Sequence, residues 1–148
     1  MKPLIVLLAV FVSSLLVNAY VKGVWAMDMP GNIAMCAMLC FTALGHFKFT
    51  DGMAMMIPPP VPFKKVIVYV TGIIEVAAGA MLLFPSYRHA TALVLIAFFI
   101  LMLPANIYAA VKHVDYEKAT YNGAGPAYLW FRVPLQVFFI AWVYYFSW

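Results

Sequence analysis

Five long apolar runs, each bounded by charge, glycine or proline, constrain this chain more than any other feature. They cover positions 3–20, 32–47, 66–84, 90–111 and 127–148. Each is close to the roughly 17–25 residues that a membrane-spanning helix needs. None shows the alternation of apolar and polar residues that a barrel strand requires, so helices are the remaining way to span a bilayer. The sequence predicts an all-α integral membrane protein, with residues 1–148 forming a single transmembrane helical domain.

Composition excludes an ordinary soluble domain. Hydrophobic residues make up 67% of the 148 positions and charged residues 9%, whereas soluble domains average about 45–50% apolar and about 25% charged residues. A formal charge of +4 would raise the question of nucleic acid in a soluble protein. Here the basic residues lie between apolar runs, where the topology rule for membrane proteins explains them. We therefore expect a lipid bilayer around the chain and no nucleic-acid partner.

The first apolar run has two interpretations. Lys2 followed by an apolar stretch, with Val17 and Ala19 where signal peptidase prefers small side chains, fits a cleaved signal peptide. The same stretch is long enough for a retained transmembrane helix, which is the interpretation that we favour. The other four helices keep their orientation in both cases.

The basic residues divide unevenly between the two ends of an alternating bundle. One end collects Lys2, Lys48, Lys64, Lys65, Lys112 and Lys118, with Arg132 just inside the membrane. The other end has Lys22 and Arg88. Because positive residues favour the cytoplasmic side, the sequence predicts an N-terminus in the cytoplasm and a C-terminus outside.

A proline-rich segment joins the second and third runs on the predicted cytoplasmic side. Its letters MAMMIPPPVPF are apolar, yet three consecutive prolines cannot continue a helix. We expect this segment to lie along the membrane interface, either as a flap that covers the mouth of the bundle or as a plain linker. The residues of the flap are Met56, Pro58, Pro59 and Pro60.

Glu75 is the clearest polar residue inside an apolar run. It lies about nine residues into its helix, which at about 1.5 Å per residue puts it about 14 Å deep, near the middle of the bilayer. A charge there costs about 2.5–3.5 kcal/mol on insertion scales. Gly72 and Gly79 share its helical face, and small residues allow a neighbouring helix to approach closely. We therefore expect Glu75 to face protein rather than lipid.

Four further polar residues fall toward the predicted cytoplasmic side of the membrane. They are His46, Asn106, Arg132 and Gln136. Pro104 and Pro134 each free a backbone carbonyl one turn earlier, which adds acceptors inside the bundle. Opposite charges predict an ion pair between Glu75 and Arg132, with the other three side chains completing a hydrogen-bonded cluster.

This polar cluster has a structural and a functional interpretation. Interhelical polar contacts stabilise helix bundles by about 0.6 kcal/mol each, and a buried pair can fix helix register. Alternatively, the cluster is a small site for a polar headgroup, a quinone ring or a proton, because ionisable groups inside a membrane are functional candidates. The residues leave both interpretations open, and they name no ligand beyond a quinone or a lipid.

Cysteine offers a further chemistry. Cys36 and Cys40 stand four residues apart on one helix face, a spacing that differs from the C-x-x-C of redox helices. Thiols on an apolar face usually act as small packing residues. The sequence has no phosphate-binding loop, nucleophile elbow, zinc-protease motif or dinucleotide fingerprint. It predicts no metal or nucleotide cofactor, and it does not identify a catalytic residue.

The chain resembles the DoxX family of small bacterial membrane proteins over positions 32–148. The resemblance rests on the segments GHF, MIPPPVPF, YVTGIIEVAAGAMLLFP, LPANIYAA and WFRVPLQVFFIAW. The family pattern falls here on His46, Pro58 to Pro60, Gly72, Glu75, Pro104 to Asn106, Arg132, Pro134 and Gln136. It implies a four-helix core in the bacterial cytoplasmic (inner) membrane. The additional N-terminal transmembrane helix precedes this core, and the proline-rich flap lies between helices 2 and 3.

The resemblance also implies a function. Family members are associated with a thiosulfate:quinone oxidoreductase or with oxidative-stress complexes, and a distant animal relative assists receptor assembly. We therefore expect a quinone- or redox-linked accessory subunit, with a protein partner or a homo-oligomeric form, rather than a complete enzyme. A structural or chaperone-like bundle without a ligand is the alternative. A small oligomeric transporter is a third interpretation, which the absence of inverted repeats disfavours.

Overall fold

The computed structural model of the protein describes residues 2–23 and 25–148. Its elements in chain order are α1 (Lys2–Lys22), α2 (Asp28–Lys48), α3 (Thr50–Met55), α4 (Lys64–Leu82), α5 (Pro85–Val111), a 3-10 helix (Pro126–Tyr128) and α6 (Leu129–Ser147). The described part contains no β-strand, and Asp115 and Thr120 form one isolated bridge in the loop after α5. The predicted all-α class is confirmed.

Within the described residues, five helices are long and apolar enough to cross a membrane: α1, α2, α4, α5, and α6 together with the 3-10 turn before it. The prediction of five long apolar helices is therefore confirmed, and the largest differences in their starting points are at α2 and α5. The α2 helix starts at Asp28 rather than at position 32. The α5 helix starts at Pro85 rather than at position 90, because the first turn of a helix tolerates a residue without an N–H group.

Four helices form the core of the bundle, and α1 lies outside it. In this core α2 contacts α4, α4 contacts α5, α5 contacts α6, and α6 contacts α2. The α1 helix packs along α2. Leu7 is the one buried residue of α1, and the Phe11 ring meets the Trp142 ring of α6 at a centroid distance of 5.0 Å. The rest of the apolar core comes from the other four spans, including Met35, Met38, Leu39, Leu82, Leu95, Phe99, Leu135, Phe139 and Val143.

Successive spanning helices alternate in direction, which gathers most basic side chains at one end. Lys2 Nζ lies 2.8 Å from Oε1 of Glu117 in the loop after α5. Lys65 Nζ at the start of α4 lies 2.7 Å from Oδ1 of Asp51 in α3. We call this end the basic end, and its lysines are Lys2, Lys48, Lys64, Lys65, Lys112 and Lys118.

Asn32 joins α2 to the last turn of α6 at the opposite end. Its Nδ2 donates to the carbonyls of Asp28 and Phe146, at 2.7 and 2.6 Å. Its Oδ1 accepts from Oγ of Ser147 at 2.7 Å. One residue earlier, the carbonyl of Gly31 accepts from Nε1 of Trp142 at 3.1 Å. This end of the bundle is therefore closed by direct contacts between helices.

Pro104 and Pro134 lie inside α5 and α6 rather than at their ends. Each proline leaves the carbonyl four residues earlier without its helical N–H partner. A side-chain donor does reach this region of α5, because Nε2 of Gln136 donates to the carbonyl of Phe99. That carbonyl is one residue before Ile100, the residue whose carbonyl Pro104 frees. This hydrogen bond joins α6 to α5 but does not satisfy the Ile100 carbonyl that Pro104 frees.

Candidate functional site

One cavity of about 770 Å³ lies in the half of the bundle nearest the basic end. The last turns of α2 and α5 and the first turns of α6 form most of its wall, and α4 contributes one residue, Glu75. All five polar residues predicted as a cluster line it: His46, Glu75, Asn106, Arg132 and Gln136. The structure therefore brings the predicted cluster residues to one space.

Glu75 faces protein, as the sequence predicts. Only 7% of its surface is exposed, and Gly72 and Gly79 are buried on the same face of α4. A Cβ atom at Gly72 would lie 2.9 Å from Cβ of His46, and one at Gly79 would lie 3.4 Å from Cα of Cys36. The two glycines allow α2 to pack closely against α4 on either side of the carboxylate.

The partners of Glu75 are on α2 and not on α6. Its Oε1 lies 3.5 Å from Nε2 of His46, and its Oε2 accepts from Oγ1 of Thr42 at 2.8 Å. The ion pairs among residues 2–23 and 25–148 do not include one between Glu75 and Arg132. The predicted ion pair is therefore wrong, because α4 lies beside α2 while α6 lies across the bundle, next to α5 and α2.

The second ring nitrogen of His46 also contacts α4. Its Nδ1 lies 3.0 Å from the carbonyl of Val68 and 3.0 Å from Oγ1 of Thr71. Thr71 in turn has its hydroxyl within 2.9 Å of the carbonyls of Ile67 and Val68. The imidazole thus bridges two points of α4, with one nitrogen toward the backbone and the other toward Glu75.

Arg132 belongs to a second polar group on the opposite wall. One of its terminal nitrogens donates to Oδ1 of Asn106 at 3.4 Å, and Nδ2 of Asn106 donates to Oε1 of Gln136 at 3.1 Å. Asn106 and Gln136 are both 8% exposed. The five-residue cluster is thus two groups that share a cavity, one between α2 and α4 and one between α5 and α6.

Sequence reasoning missed two threonines that complete the first group, Thr42 and Thr71. Each stands four residues before a predicted cluster residue on the same helix, Thr42 before His46 and Thr71 before Glu75. Residues four apart lie on one helix face. This spacing was the available signal, although a threonine inside an apolar helix commonly bonds its own backbone instead.

The apolar end of the cavity reaches toward the centre of the bundle. Among its lining side chains are Met38, Leu39, Phe98, Phe99, Met102, Leu135 and Phe139. The opposite end of the cavity meets polar groups of the basic end, including Lys2, Lys48, Glu117 and Asn122. The cavity is therefore amphipathic along its length, with the two polar groups between its ends.

The proline-rich segment is partly helical, which differs from the sequence prediction. Residues Thr50–Met55 form α3, because the helix-breaking prolines begin only at Pro58. Met53 and Met56 line the cavity, whereas Pro58, Pro59 and Pro60 do not. Nζ of Lys64 donates to the carbonyl of Ile57 at 2.8 Å and ties the end of the segment to α4. The methionines of the predicted flap therefore line the cavity, and the prolines connect α3 to α4.

The loop between α5 and α6 covers the same mouth from the other side. Gly52 of α3 lies so close to the backbone of Tyr116 that a Cβ atom there would overlap its carbonyl group. The rings of Phe49 and Tyr116 meet edge to face, with centroids 6.1 Å apart. Burial raises the pKa of the Tyr116 phenol, and the Glu117 carboxylate adds to the rise. We call α3 and this loop, residues 112–125, the cap.

The two cysteines lie away from the polar groups of the cavity. Cys36 and Cys40 are free and partly buried, and Cys36 packs against Gly79 of α4. Neither lines the cavity. In the part of the chain that the structure describes, no group of three or more His, Cys, Asp or Glu side chains is placed to hold a metal ion.

Comparison with known proteins gives one family match. A family model described as "Domain of unknown function (DUF8561)" matches residues 35–147. This range includes both polar groups and the cap, and it leaves α1 outside. Neither the curated proteins nor the solved structures gave a match.

Proposed function

Because the chain belongs to the DUF8561 family, whose description assigns no activity, we propose its function from the geometry of the cavity. It is a membrane-embedded accessory subunit that binds one lipid-soluble molecule with a polar head. The observation that carries this proposal is the amphipathic cavity of about 770 Å³ with two polar groups on its walls.

The dimensions of the cavity support a small-molecule ligand. Pockets for such ligands typically measure about 300–1,000 Å³ and combine apolar walls with a few polar groups that fix orientation. Phe98, Phe99 and Phe139 offer apolar surface at the inner end. An apolar ring or chain there would leave its polar head beside Glu75 and Arg132.

Arg132 supplies donors for that head. A guanidinium group has five N–H donors and no acceptor. Among residues 2–23 and 25–148, the structure gives Arg132 one hydrogen bond, to Asn106. The remaining donors suit a carbonyl or an anionic oxygen of a ligand in the cavity.

A quinone is the ligand class that we favour. Its ring presents carbonyl acceptors on opposite edges, which suits a space with His46 on one wall and Arg132 on the other. The resemblance to the DoxX family supports the same class and a redox-linked partner protein. We therefore propose a DoxX-like subunit of a larger membrane complex.

The distribution of basic residues supports an orientation. Six lysines gather at the basic end, whereas Lys22 and Arg88 serve the opposite end. Because the positive-inside rule places such a cluster in the cytoplasm, we propose that the cap faces the cytoplasm of a bacterial inner membrane. The N-terminus then lies inside and the C-terminus outside.

Mass spectrometry of small molecules that co-purify in mild detergent tests the proposal. We expect a quinone or a lipid in stoichiometric amount with the wild type, and a loss of several-fold or more in the Arg132→Gln and Asn106→Leu variants. Thr91→Val is the matched control, because Thr91 is buried in α5 and, within residues 2–23 and 25–148, its hydroxyl bonds its own helix, at the carbonyl of Tyr87 at 2.8 Å.

The outcomes separate this proposal from a purely structural bundle. If no molecule is retained by the wild type, or if retention is equal in the wild type and both cavity variants, the proposed binding site is wrong. A folded bundle with no retained molecule would favour the structural or chaperone-like alternative. The thermal stability of each variant, measured in the same detergent, shows whether a lost ligand reflects a lost fold.

A further inference from the structure

We propose that His46 and Glu75 share one exchangeable proton and transfer it to and from a basic oxygen of the ligand in the cavity. This inference rests on the proposed function, because it needs a ligand beside the pair. It adds a proton-transfer role to a site that otherwise only binds.

The first step concerns Nδ1 of His46. It lies 3.0 Å from the carbonyl of Val68, and a carbonyl oxygen can only accept a hydrogen bond. The nearby Thr71 hydroxyl has one hydrogen, and it has carbonyl acceptors of its own at Ile67 and Val68. Nδ1 is therefore the donor in this contact and carries a hydrogen.

The second step concerns Nε2. In a neutral imidazole with a hydrogen on Nδ1, Nε2 is an acceptor. Nε2 faces Oε1 of Glu75 at 3.5 Å, and an ionised carboxylate is also only an acceptor. Two acceptors at this distance repel each other. One proton between them, as an imidazolium beside a carboxylate or as a neutral imidazole beside a carboxylic acid, removes this repulsion.

Thr42 does not remove the need for this proton. Its hydroxyl lies 2.8 Å from Oε2 of Glu75 and 3.0 Å from the carbonyl of Leu39, so it can either donate to the carboxylate or accept from it. A proton placed on Oε2 would leave Oε1 and Nε2 facing each other as two acceptors. The shared position between Oε1 and Nε2 is the arrangement that satisfies every contact.

The shared proton is next to the cavity, while the fixed proton is not. His46, Glu75 and Thr42 line the cavity, and Val68 and Thr71 do not. Arg132 is the other charged side chain in the inner part of the cavity, and it is bonded to Asn106 on the far wall. A ligand head between the two walls thus has Arg132 as a donor on one side and the shared proton on the other.

The transfer conserves protons without any oxidant or reductant. When a basic oxygen approaches, an O–H bond forms on the ligand and the bond between the proton and Nε2 or Oε1 breaks. Glu75 is left as a carboxylate and His46 as a neutral imidazole. The pair then takes up one proton from a hydronium ion or a buffer acid at the basic end, where the cavity meets the cap, and the reverse sequence returns a proton from the ligand to the solvent.

Nitrogen NMR of the wild type labelled with ¹⁵N-histidine tests the pair without any ligand. The protein has three histidines, and His89→Gln and His113→Gln identify the His46 signals. We expect Nδ1 of His46 to carry a hydrogen and Nε2 to show a shared or bound proton. In Thr71→Val the Nδ1 hydrogen should remain, because Val68 still accepts it. A neutral imidazole with its hydrogen on Nε2 would overturn the proposal.

An alkylated nitrophenol tests the transfer, because its colour shows whether the bound probe is phenol or phenolate. At a pH where the free probe is phenolate, we expect binding to the wild type to bleach the phenolate colour and to take up one proton, measured by calorimetry in two buffers. In the Glu75→Gln variant, neither effect should appear even at probe concentrations that saturate the cavity. Thr91→Val is the control that should still bleach the probe, because Thr91 does not line the cavity and its hydroxyl bonds the carbonyl of Tyr87 in its own helix.

The two proposals fail in different ways. A probe that binds the wild type and stays phenolate would overturn the proton transfer and leave the ligand site intact. A probe that does not bind the wild type at all would count against the cavity as a site for such molecules, and with it against the proposed function. Bleaching of equal size in the wild type and Glu75→Gln would show that another group supplies the proton.

Discussion

Gly72 of α4 lies so close to His46 of α2 that a Cβ atom at Gly72 would be 2.9 Å from Cβ of His46. A Cβ at residue 72 and the Cβ of His46 are each bonded directly to a helix backbone, so neither atom can move without shifting its helix. The position of the His46 ring beside Glu75 therefore depends on the absence of a side chain at residue 72.

We expect Gly72→Ala to lower the stability of the bundle by about 1–3 kcal/mol, the usual range for overfilling a well-packed contact. Gly79→Ala is the matched control, because its Cβ would lie at an ordinary 3.4 Å from Cα of Cys36. It should leave stability unchanged or raise it slightly, since alanine favours a helix over glycine. Thermal unfolding in detergent measures both, and an equal loss in the two variants would contradict the assigned contact.

Double-mutant cycles should couple Glu75 to His46 and not to Arg132. Glu75 lies 3.5 Å from His46 and has no ion pair with Arg132 in the described residues. Contacting residues typically show interaction energies of about 0.5–3 kcal/mol. We expect a value in that range for Glu75→Gln with His46→Gln, and additive losses for Glu75→Gln with Arg132→Gln. The reverse pattern would restore the ion pair that the sequence alone predicts.

Much of this site follows from depth and helix periodicity. The position of Glu75 within its apolar run, with glycines three residues before and four after it, predicts a buried carboxylate facing protein. The sequence predicts in the same way that there are five helices and that four polar residues lie in one half of the bundle: His46, Asn106, Arg132 and Gln136. These features depend on one helix at a time, so the sequence carries them.

The pairing of the cluster does not follow from depth. Side chains at one level of a bundle meet only if their helices are neighbours, and a single sequence does not state the order of helices around the axis. Here α4 lies against α2, and α5 lies against α6. Glu75 therefore meets His46 and Thr42, while Arg132 meets Asn106. Their opposite charges predict a pair between Glu75 and Arg132, but the order of the helices places them on different walls of the cavity.

Asn32 should be the most sensitive polar residue outside the cavity. It makes three hydrogen bonds of 2.6–2.7 Å, of which those to Phe146 and Ser147 join α2 to α6, and it is 1% exposed. Asn32→Leu removes the partner of the Phe146 carbonyl and of the buried Ser147 hydroxyl, and a buried unsatisfied group costs about 1–3 kcal/mol. We expect a clear fall in melting temperature.

Ligand retention separates the role of Asn32 from that of the cavity residues. Asn32 does not line the cavity, so the folded fraction of Asn32→Leu should retain as much co-purified ligand as the wild type. Ser13→Ala is a suitable control for stability, because Ser13 is exposed and its hydroxyl, among the residues that the structure describes, bonds the carbonyl of Ala9 within α1. A stability loss in Ser13→Ala equal to that of Asn32→Leu would show that the hydrogen bonds of Asn32 to α6 do not account for the loss in Asn32→Leu.

Labelling of introduced cysteines should show which side of the membrane the cap faces. After Cys36 and Cys40 are replaced by alanine, Met56→Cys places a thiol directly after α3, beside the cap, and Trp25→Cys places one at the opposite end of the bundle, where Trp25 is 64% exposed. With a membrane-impermeant thiol reagent, we expect Met56→Cys to react only from the cytoplasmic side, and slowly, because Met56 is partly buried and lines the cavity. Trp25→Cys should react readily and only from outside.

Gly52→Ala, which forces α3 away from Tyr116, should speed the labelling of Met56→Cys without changing the side from which the reagent reacts. Reaction of Met56→Cys from the outer side would reverse the proposed orientation, since the basic end would then lie where positive residues are disfavoured.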